Sequence, residues 1–142
     1  MPQTTDSKSI EQDEATRKKI SVDFIKLLSL GRFKEGLCFF SPDCKTHNPY
    51  ISGGMEALTN AMEAANEEGR RKYPEAEFSI KNVIGDCDLV AVHTQLLSSK
   101  SKPEEGGLRQ VHLFRFQGDK IVEYWDITQQ VLPNMPNAAG AF

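Results

Sequence analysis

A chain of 142 residues has the usual length of one domain, and a hydrophobic fraction of 39% is enough to build a packed core. The net charge of −3 comes from acidic and basic residues mixed along the chain, without a long basic run or zinc-finger spacing, so nucleic acid is not an expected partner. No segment approaches the roughly 20 apolar residues of a membrane span, the start does not resemble a signal peptide, and the three cysteines lack CxxC spacing, so we expect a cytoplasmic protein with reduced thiols and no membrane partner.

The N-terminal half shows helical spacing of its apolar residues. One helix is predicted from Ser9, in a capping box with Gln12, to about Leu30. The run "RFKEGLCFF" predicts a short second helix, and "GGMEALTNAMEAANEEGRRKYP" predicts a third. We expect residues 1–8 and 133–142 to be irregular tails of a single domain.

The C-terminal half changes to the alternating period of strands. The run "EAEFSIKNVIGDCDLVAVHTQLLSS" predicts a hairpin that turns at "GDCD", and "LRQVHLFRFQGDKIVEYWDITQQV" predicts a second hairpin that turns at "QGDK". Helices followed by strands indicate an α+β fold, in which the helices lie on one face of a curved antiparallel sheet.

The register of the second hairpin can be predicted from charge. A three-residue loop, "GDK", places Arg115 opposite Glu123, which is a favourable cross-strand pair. The same register places His112 opposite Asp126. One face then carries His112, Phe114, Phe116, Val122, Tyr124 and Asp126. The other face carries Val111, Leu113, Trp125 and Ile127, and it needs a cover that a second subunit would provide.

Several of these runs together resemble a known family. The stretches "HNPYISGG", "GDCDLVAVH" and "HLFRFQGDKIVEYWD" resemble the SnoaL-like branch of the NTF2-like superfamily, over roughly residues 10–132. The resemblance implies a cone-shaped α+β barrel with a deep pocket, no metal, and commonly a dimer packed through the sheet. In the polyketide cyclases of this family, an Asp matching Asp126 acts as acid and base, and a His matching His112 lies beside it.

Asp126 and His112 are the candidate catalytic residues. A carboxylate that removes a proton next to a carbonyl needs an apolar surround, and a donor nearby for the developing enolate. His112 is that donor or holds Asp126 in place. The alternative is structural: Asp126 pairs with His112 or a loop amide, and His112 is an interior histidine with satisfied hydrogen bonds.

Other polar and aromatic side chains are candidates for the substrate pocket. The residues of "THNPY" either line the pocket mouth or satisfy backbone groups of a loop, and strand parity does not decide the face of the histidine in "LVAVHTQ". No HxH, HxxxH or HExxH spacing indicates a metal site. The candidate pocket residues are His47, Asn48, Tyr50, His93, Phe114 and Tyr124.

Two functions follow as hypotheses. The first is a cofactor-independent enzyme, a cyclase, isomerase or aldol-type lyase, that acts on a small hydrophobic carbonyl compound. The second is a non-catalytic ligand-binding or dimeric assembly module, in which the face with Leu113 and Trp125 contacts a second copy. An open pocket at Asp126 favours the enzyme, and a sealed interior with a fully hydrogen-bonded carboxylate favours the module.

Overall fold

The computed structural model describes residues 3–142, with side chains from residue 11 onward. Its helices are α1 (Gln3–Ser29), α2 (Gly54–Lys72) and 3₁₀ segments at Phe33–Phe39, Pro103–Glu105 and Ala139–Ala141. Its strands are β1 (Phe40–Thr46), β2 (Glu77–Asp86), β3 (Leu89–Leu97), β4 (Gly107–Gln117) and β5 (Lys120–Val131). Over the described residues, none of the helices combines the length and apolar character that a membrane crossing requires.

The three predicted helices are present, and the first begins earlier than predicted. α1 begins at Gln3, so Ser9 lies inside the helix and the predicted capping box is wrong. Residues 3–8, which we expected to be irregular, are helical. The prediction placed the start at the first capping signal before the apolar stripe, and the helix continues beyond that stripe. At the other end, Gly31 has φ +73° and its N–H donates to Leu28 O at 3.0 Å.

The sheet is mixed rather than wholly antiparallel, and it is open. Its strand order is β1-β5-β4-β3-β2. The two predicted hairpins pair antiparallel, whereas β1 pairs parallel with β5. In the chain, α2 lies between β1 at one edge of the sheet and β2 at the other, so the connection between these strands crosses the sheet. The alternating pattern of the hairpins did not predict this parallel edge strand.

The second hairpin has the predicted register beyond its loop, but a shorter loop and a β-bulge produce it. Its loop has two residues, since Gln117 pairs with Lys120, and a bulge between Arg115 and Phe116 then shifts the register by one residue. Arg115 therefore faces Glu123, as predicted. The predicted inner position of Val122 is wrong, because the bulge turns the fully buried Ile121 inward and leaves Val122 half-buried.

The helices cover one face of the sheet, which we call the inner face, and the opposite face is the outer face. Phe24 of α1 makes edge-to-face contacts with Phe40, at 4.7 Å between ring centroids, and with Phe114 and Tyr124, at 5.8 Å each. All four rings are buried. A Cβ at Gly36 would lie 2.6 Å from Phe24 Cδ1, so the close approach of the first 3₁₀ segment requires glycine.

Candidate functional site

The inner face of β4 and β5 changes from apolar to polar along its length. Phe116 and Phe114 on β4 and Ile121 and Tyr124 on β5 are buried in the core. Beyond them the inward side chains become polar, and the alternation of the two strands places them side by side. These polar residues are His112 and Gln110 on β4, and Asp126 and Thr128 on β5.

The two carboxylate oxygens of Asp126 differ in their hydrogen bonding. It lies directly opposite His112 in the β4–β5 ladder. Asn48 Nδ2 donates to Asp126 Oδ2 at 2.7 Å, whereas Oδ1 is buried without a hydrogen-bond partner among the described residues. Burial raises the pKa of Asp126, and the hydrogen bond from Asn48 and a smaller effect of the residue's own backbone N–H oppose that rise. The backbone N–H does not make a hydrogen bond of normal geometry with Oδ1. A buried oxygen without a partner is uncommon in folded proteins, and here it belongs to a side chain that can accept a proton.

His112 is hydrogen-bonded to Tyr124 rather than to Asp126. Its Nδ1 lies 2.7 Å from the Tyr124 hydroxyl, and the two rings stack with an interplanar angle of 6°. Burial lowers the pKa of His112 to about 4, so the imidazole is neutral at pH 7. Burial, with the charge of Asp126 nearby, raises the pKa of Tyr124 well above its usual value, so its hydroxyl stays protonated. The sequence indicated Tyr124 only as a candidate pocket residue, and its hydrogen bond with His112 was not predicted.

Three polar side chains on neighbouring strands continue the inner face beyond His112. Thr94 Oγ1 donates to Gln110 Oε1 at 3.3 Å, and Gln110 Nε2 donates to Thr128 Oγ1 at 3.3 Å. None of these three residues was predicted from the sequence as part of the site. Strand parity would have found two of them, since Gln110 lies two positions before His112 and Thr128 lies two positions after Asp126.

His47 lies on the outer face, although we expected it to line the pocket mouth. Its ring stacks on Trp125 with centroids 4.5 Å apart, and its Nε2 lies 2.8 Å from Glu123 Oε2. Glu123 also accepts from Arg115 Nε at 3.2 Å, and Arg115 pairs with Asp88 at 3.1 Å. The structure therefore separates His47 from Asp126 by the thickness of the sheet.

The remaining predicted pocket residues are distributed between the core, the outer face and the surface. His93 alternates with the buried Val92 and Thr94, so it lies on the outer face, where Asn82 Nδ2 donates to its Nδ1 at 2.9 Å. Tyr50 is 92% exposed. Phe114 is fully buried in the core. Of the loop residues, the structure brings only Asn48 to Asp126.

Two surface cavities lie away from Asp126. One, of about 240 Å³, lies between the C-terminal segment at Met135 and the outer-face residues Arg109 and Gln129. The other, of about 270 Å³, lies between the first 3₁₀ segment and α2, at Leu37 and Thr59. Among the residues with described side chains, no group of three His, Cys, Asp or Glu residues is arranged to hold a metal ion.

Comparison with solved structures identifies the fold. AclR from Streptomyces galilaeus, a candidate hydroxylase, is 18% identical with a TM-score of 0.62, over 82% of this chain and 90% of that chain. A candidate SnoaL-like polyketide cyclase from Jannaschia sp. CCS1 is 16% identical with a TM-score of 0.59, over 82% and 88%. An NTF2-like protein of unknown function from Cytophaga hutchinsonii is 12% identical with a TM-score of 0.59, over 80% and 89%.

These similarities confirm the predicted α+β, NTF2-like fold, with its sheet left open. No curated protein matches the chain. The SnoaL-like domain family matches residues 22–124, which is more than half of the sequence and includes β1 to β4 and the start of β5. The chain belongs to the SnoaL-like domain family.

Proposed function

We propose that this protein is a cofactor-independent acid/base enzyme in which Asp126 removes a proton next to the carbonyl of a small hydrophobic compound. The observation that carries the proposal is the buried Asp126 Oδ1, which has no hydrogen-bond partner among the described residues. The fold uses the other oxygen to bind Asn48. Oδ1 therefore keeps its lone pairs for a substrate proton.

The surroundings of Asp126 suit a general base. Burial raises the pKa of its carboxyl, which makes the carboxylate a stronger base than an exposed aspartate. The Asn48 hydrogen bond stabilises the ionised form and limits that rise. The two effects together keep the carboxylate available for proton transfer.

His112 and Tyr124 supply the donor for the developing enolate. A neutral imidazole donates one hydrogen bond. We assign the Tyr124 hydroxyl as the donor to Nδ1, 2.7 Å away, which places the proton of His112 on Nε2. Nε2 then donates to the enolate oxygen while Asp126 Oδ1 holds the abstracted proton. Cyclisation, isomerisation and aldol-type cleavage all pass through such an enolate, and the proposal covers these three reaction types.

The substrate class follows from the inner face. The polar side chains of Gln110 and Thr128, which follow His112 and Asp126 along the two strands, favour one further oxygen on the ligand. We also include in the proposal a homodimer through the outer face around Leu113 and Trp125, where Ile127 is 54% exposed.

Deuterium exchange tests the base directly. The probe is 2-tetralone in D₂O, within a panel of small cyclic ketones, and NMR follows the loss of the α-proton signal. Wild type is expected to accelerate exchange, and Asp126→Asn to lose about 10²-fold or more. Glu77→Gln, which changes a carboxylate of β2 that pairs with Lys100, should keep the wild-type rate. Undiminished exchange by Asp126→Asn would reject Asp126 as the base.

A second candidate function is a non-catalytic binding or assembly module. The observation that favours it is the occlusion of Asp126 Oδ1 from solvent, together with the position of both cavities away from this side chain. For such a module, the wild type and Asp126→Asn would both leave every ketone of the panel at its background rate of exchange.

A further inference from the structure

The chain that leaves β1 continues beside β5 beyond the end of the parallel ladder. Within the ladder, Lys45 pairs with Glu123 and Thr46 pairs with Tyr124. One residue later, the N–H of His47 donates to Tyr124 O at 3.0 Å. His47 and Asn48 therefore run alongside Trp125 and Asp126.

Two contacts fix His47 on the outer face. Its ring stacks nearly parallel on Trp125, with an interplanar angle of 10° and centroids 4.5 Å apart. Its Nε2 lies 2.8 Å from Glu123 Oε2. Because successive residues of an extended chain point to opposite faces, fixing His47 outward directs Asn48 inward, toward Asp126.

The amide of Asn48 is also fixed in its orientation. Its Oδ1 accepts from the backbone N–H of Tyr50 at 2.8 Å, and its Nδ2 donates to Asp126 Oδ2 at 2.7 Å. A flipped amide would present its oxygen to the carboxylate and its NH₂ to a backbone donor. The amide thus has one favourable orientation, and it occupies one particular oxygen of Asp126.

We infer that the stack of His47 on Trp125 is a positioning device, which holds Asn48 against Asp126 and so determines which carboxylate oxygen remains free. His47 and Trp125 are positioning residues in this scheme, and they act from the opposite side of the sheet. The inference rests on the proposed function for its chemical meaning, since the free oxygen is the one assigned to proton abstraction.

The inference has a physical readout that requires no substrate. The Asn48 hydrogen bond favours the ionised form of Asp126, so its loss raises the carboxyl pKa further. The titratable groups beside Asp126 are Tyr124 on its own strand and His112 on β4. Tyr124 stays neutral throughout the acid range, whereas His112 takes up a proton near pH 4, so the His112 ring is followed in the same titration. A rise in the Asp126 pKa with an unchanged His112 curve reports the loss of the Asn48 contact.

The experiment is an NMR titration of the Asp126 side-chain carboxyl in ¹³C-labelled protein. Asn48→Ala is expected to raise the pKa by about one pH unit, the effect of losing one hydrogen bond to a charged group. His47→Ala should give a rise of the same sign. His47→Phe, which keeps a ring on Trp125, and His93→Gln, which changes an outer-face histidine that contacts Asn82 instead, should both give the wild-type value.

Two outcomes would overturn the inference: an unchanged pKa in His47→Ala, or an equal rise in His47→Phe. If His47→Ala does not fold, Trp125→Leu removes the other ring and is judged by the same criterion of an unchanged pKa. The titration is independent of deuterium exchange, so it can support the positioning device even if Asp126 proves not to be the base. If both proposals hold, the acid limb of the exchange rate moves upward in pH for His47→Ala and stays in place for His47→Phe.

Discussion

Polar side chains on the two faces of β4 and β5 differ in how completely they are paired. On the outer face, His47, Glu123, Arg115 and Asp88 form a continuous chain of contacts at 2.8 to 3.2 Å. On the inner face, Asp126 keeps one buried oxygen without a partner among the described residues. Polar groups with a purely structural role are normally paired, so the difference supports the proposal that the inner face carries the reactive group.

The largest expected effect is a difference in the free energy of unfolding between variants of two adjacent β4 residues that point to opposite faces. Phe114→Ala should lower the free energy of unfolding by about 3–5 kcal/mol, because it leaves a cavity in the aromatic core. Leu113→Ala should lower it by about 1 kcal/mol, because Leu113 is only half-buried in the monomer. Urea unfolding of both variants, at a low and a high protein concentration, measures the difference.

The same measurement tests whether the outer face packs against a second copy of the chain. A cost of Leu113→Ala that grows with protein concentration would indicate that a second copy covers the outer face. A larger cost for Leu113→Ala than for Phe114→Ala at low concentration would contradict the assignment of the two faces.

A smaller effect concerns the pH dependence of stability. The pKa of His112 is about 4 in the folded protein and 6.5 for a histidine in an unfolded chain. The folded state therefore binds fewer protons than the unfolded state between these two pH values. The contribution of His112 to stability therefore rises with pH across this window, and it falls by about 3 kcal/mol as the pH drops from 7 to 4. The raised pKa of Asp126 acts in the opposite direction, so the His112 contribution is the difference in slope between the wild type and a His112 variant. Urea unfolding at several pH values measures the slope, which His112→Gln should flatten.

His93→Gln is the matched control on the outer face. It leaves His112 unchanged, so its slope between pH 4 and 6.5 should equal that of the wild type. An unchanged slope in His112→Gln would show that His112 does not lose a proton on folding.

The sequence predicted the fold and the main pairing of the site, because both depend on local pattern. Alternation and the Arg115–Glu123 charge pair were enough to place His112 opposite Asp126. The two-residue loop with its bulge was missed, because a bulge and a longer loop give the same register beyond it. Both routes give the same pairing at Arg115, and only the residues between the loop and the bulge differ.

The contacts that depend on the path of a loop could not be predicted. His47 and Asn48 are adjacent in sequence, and the parity of an extended segment sends them to opposite faces. Which one goes inward depends on long-range contacts, the parallel pairing of β1 with β5 and the contact of His47 with Trp125, which sequence periodicity does not contain. The unpartnered oxygen of Asp126 is likewise a result of packing, since the residue type alone does not determine how many partners a carboxylate finds.

The smallest expected effect lies in the ion pairs of the outer face. Arg115 and Asp88 are both partly exposed, at 39% and 48% of their side chains, so solvent screens their attraction. A double-mutant cycle of Arg115→Met and Asp88→Asn, measured by urea unfolding, should give a coupling of about 0.2–1 kcal/mol that decreases with added salt. A coupling well above this range that persists in salt would mean that the pair is desolvated in solution. The outer face would then be covered, and the contrast between an exposed outer face and a buried inner face would apply only to the isolated monomer.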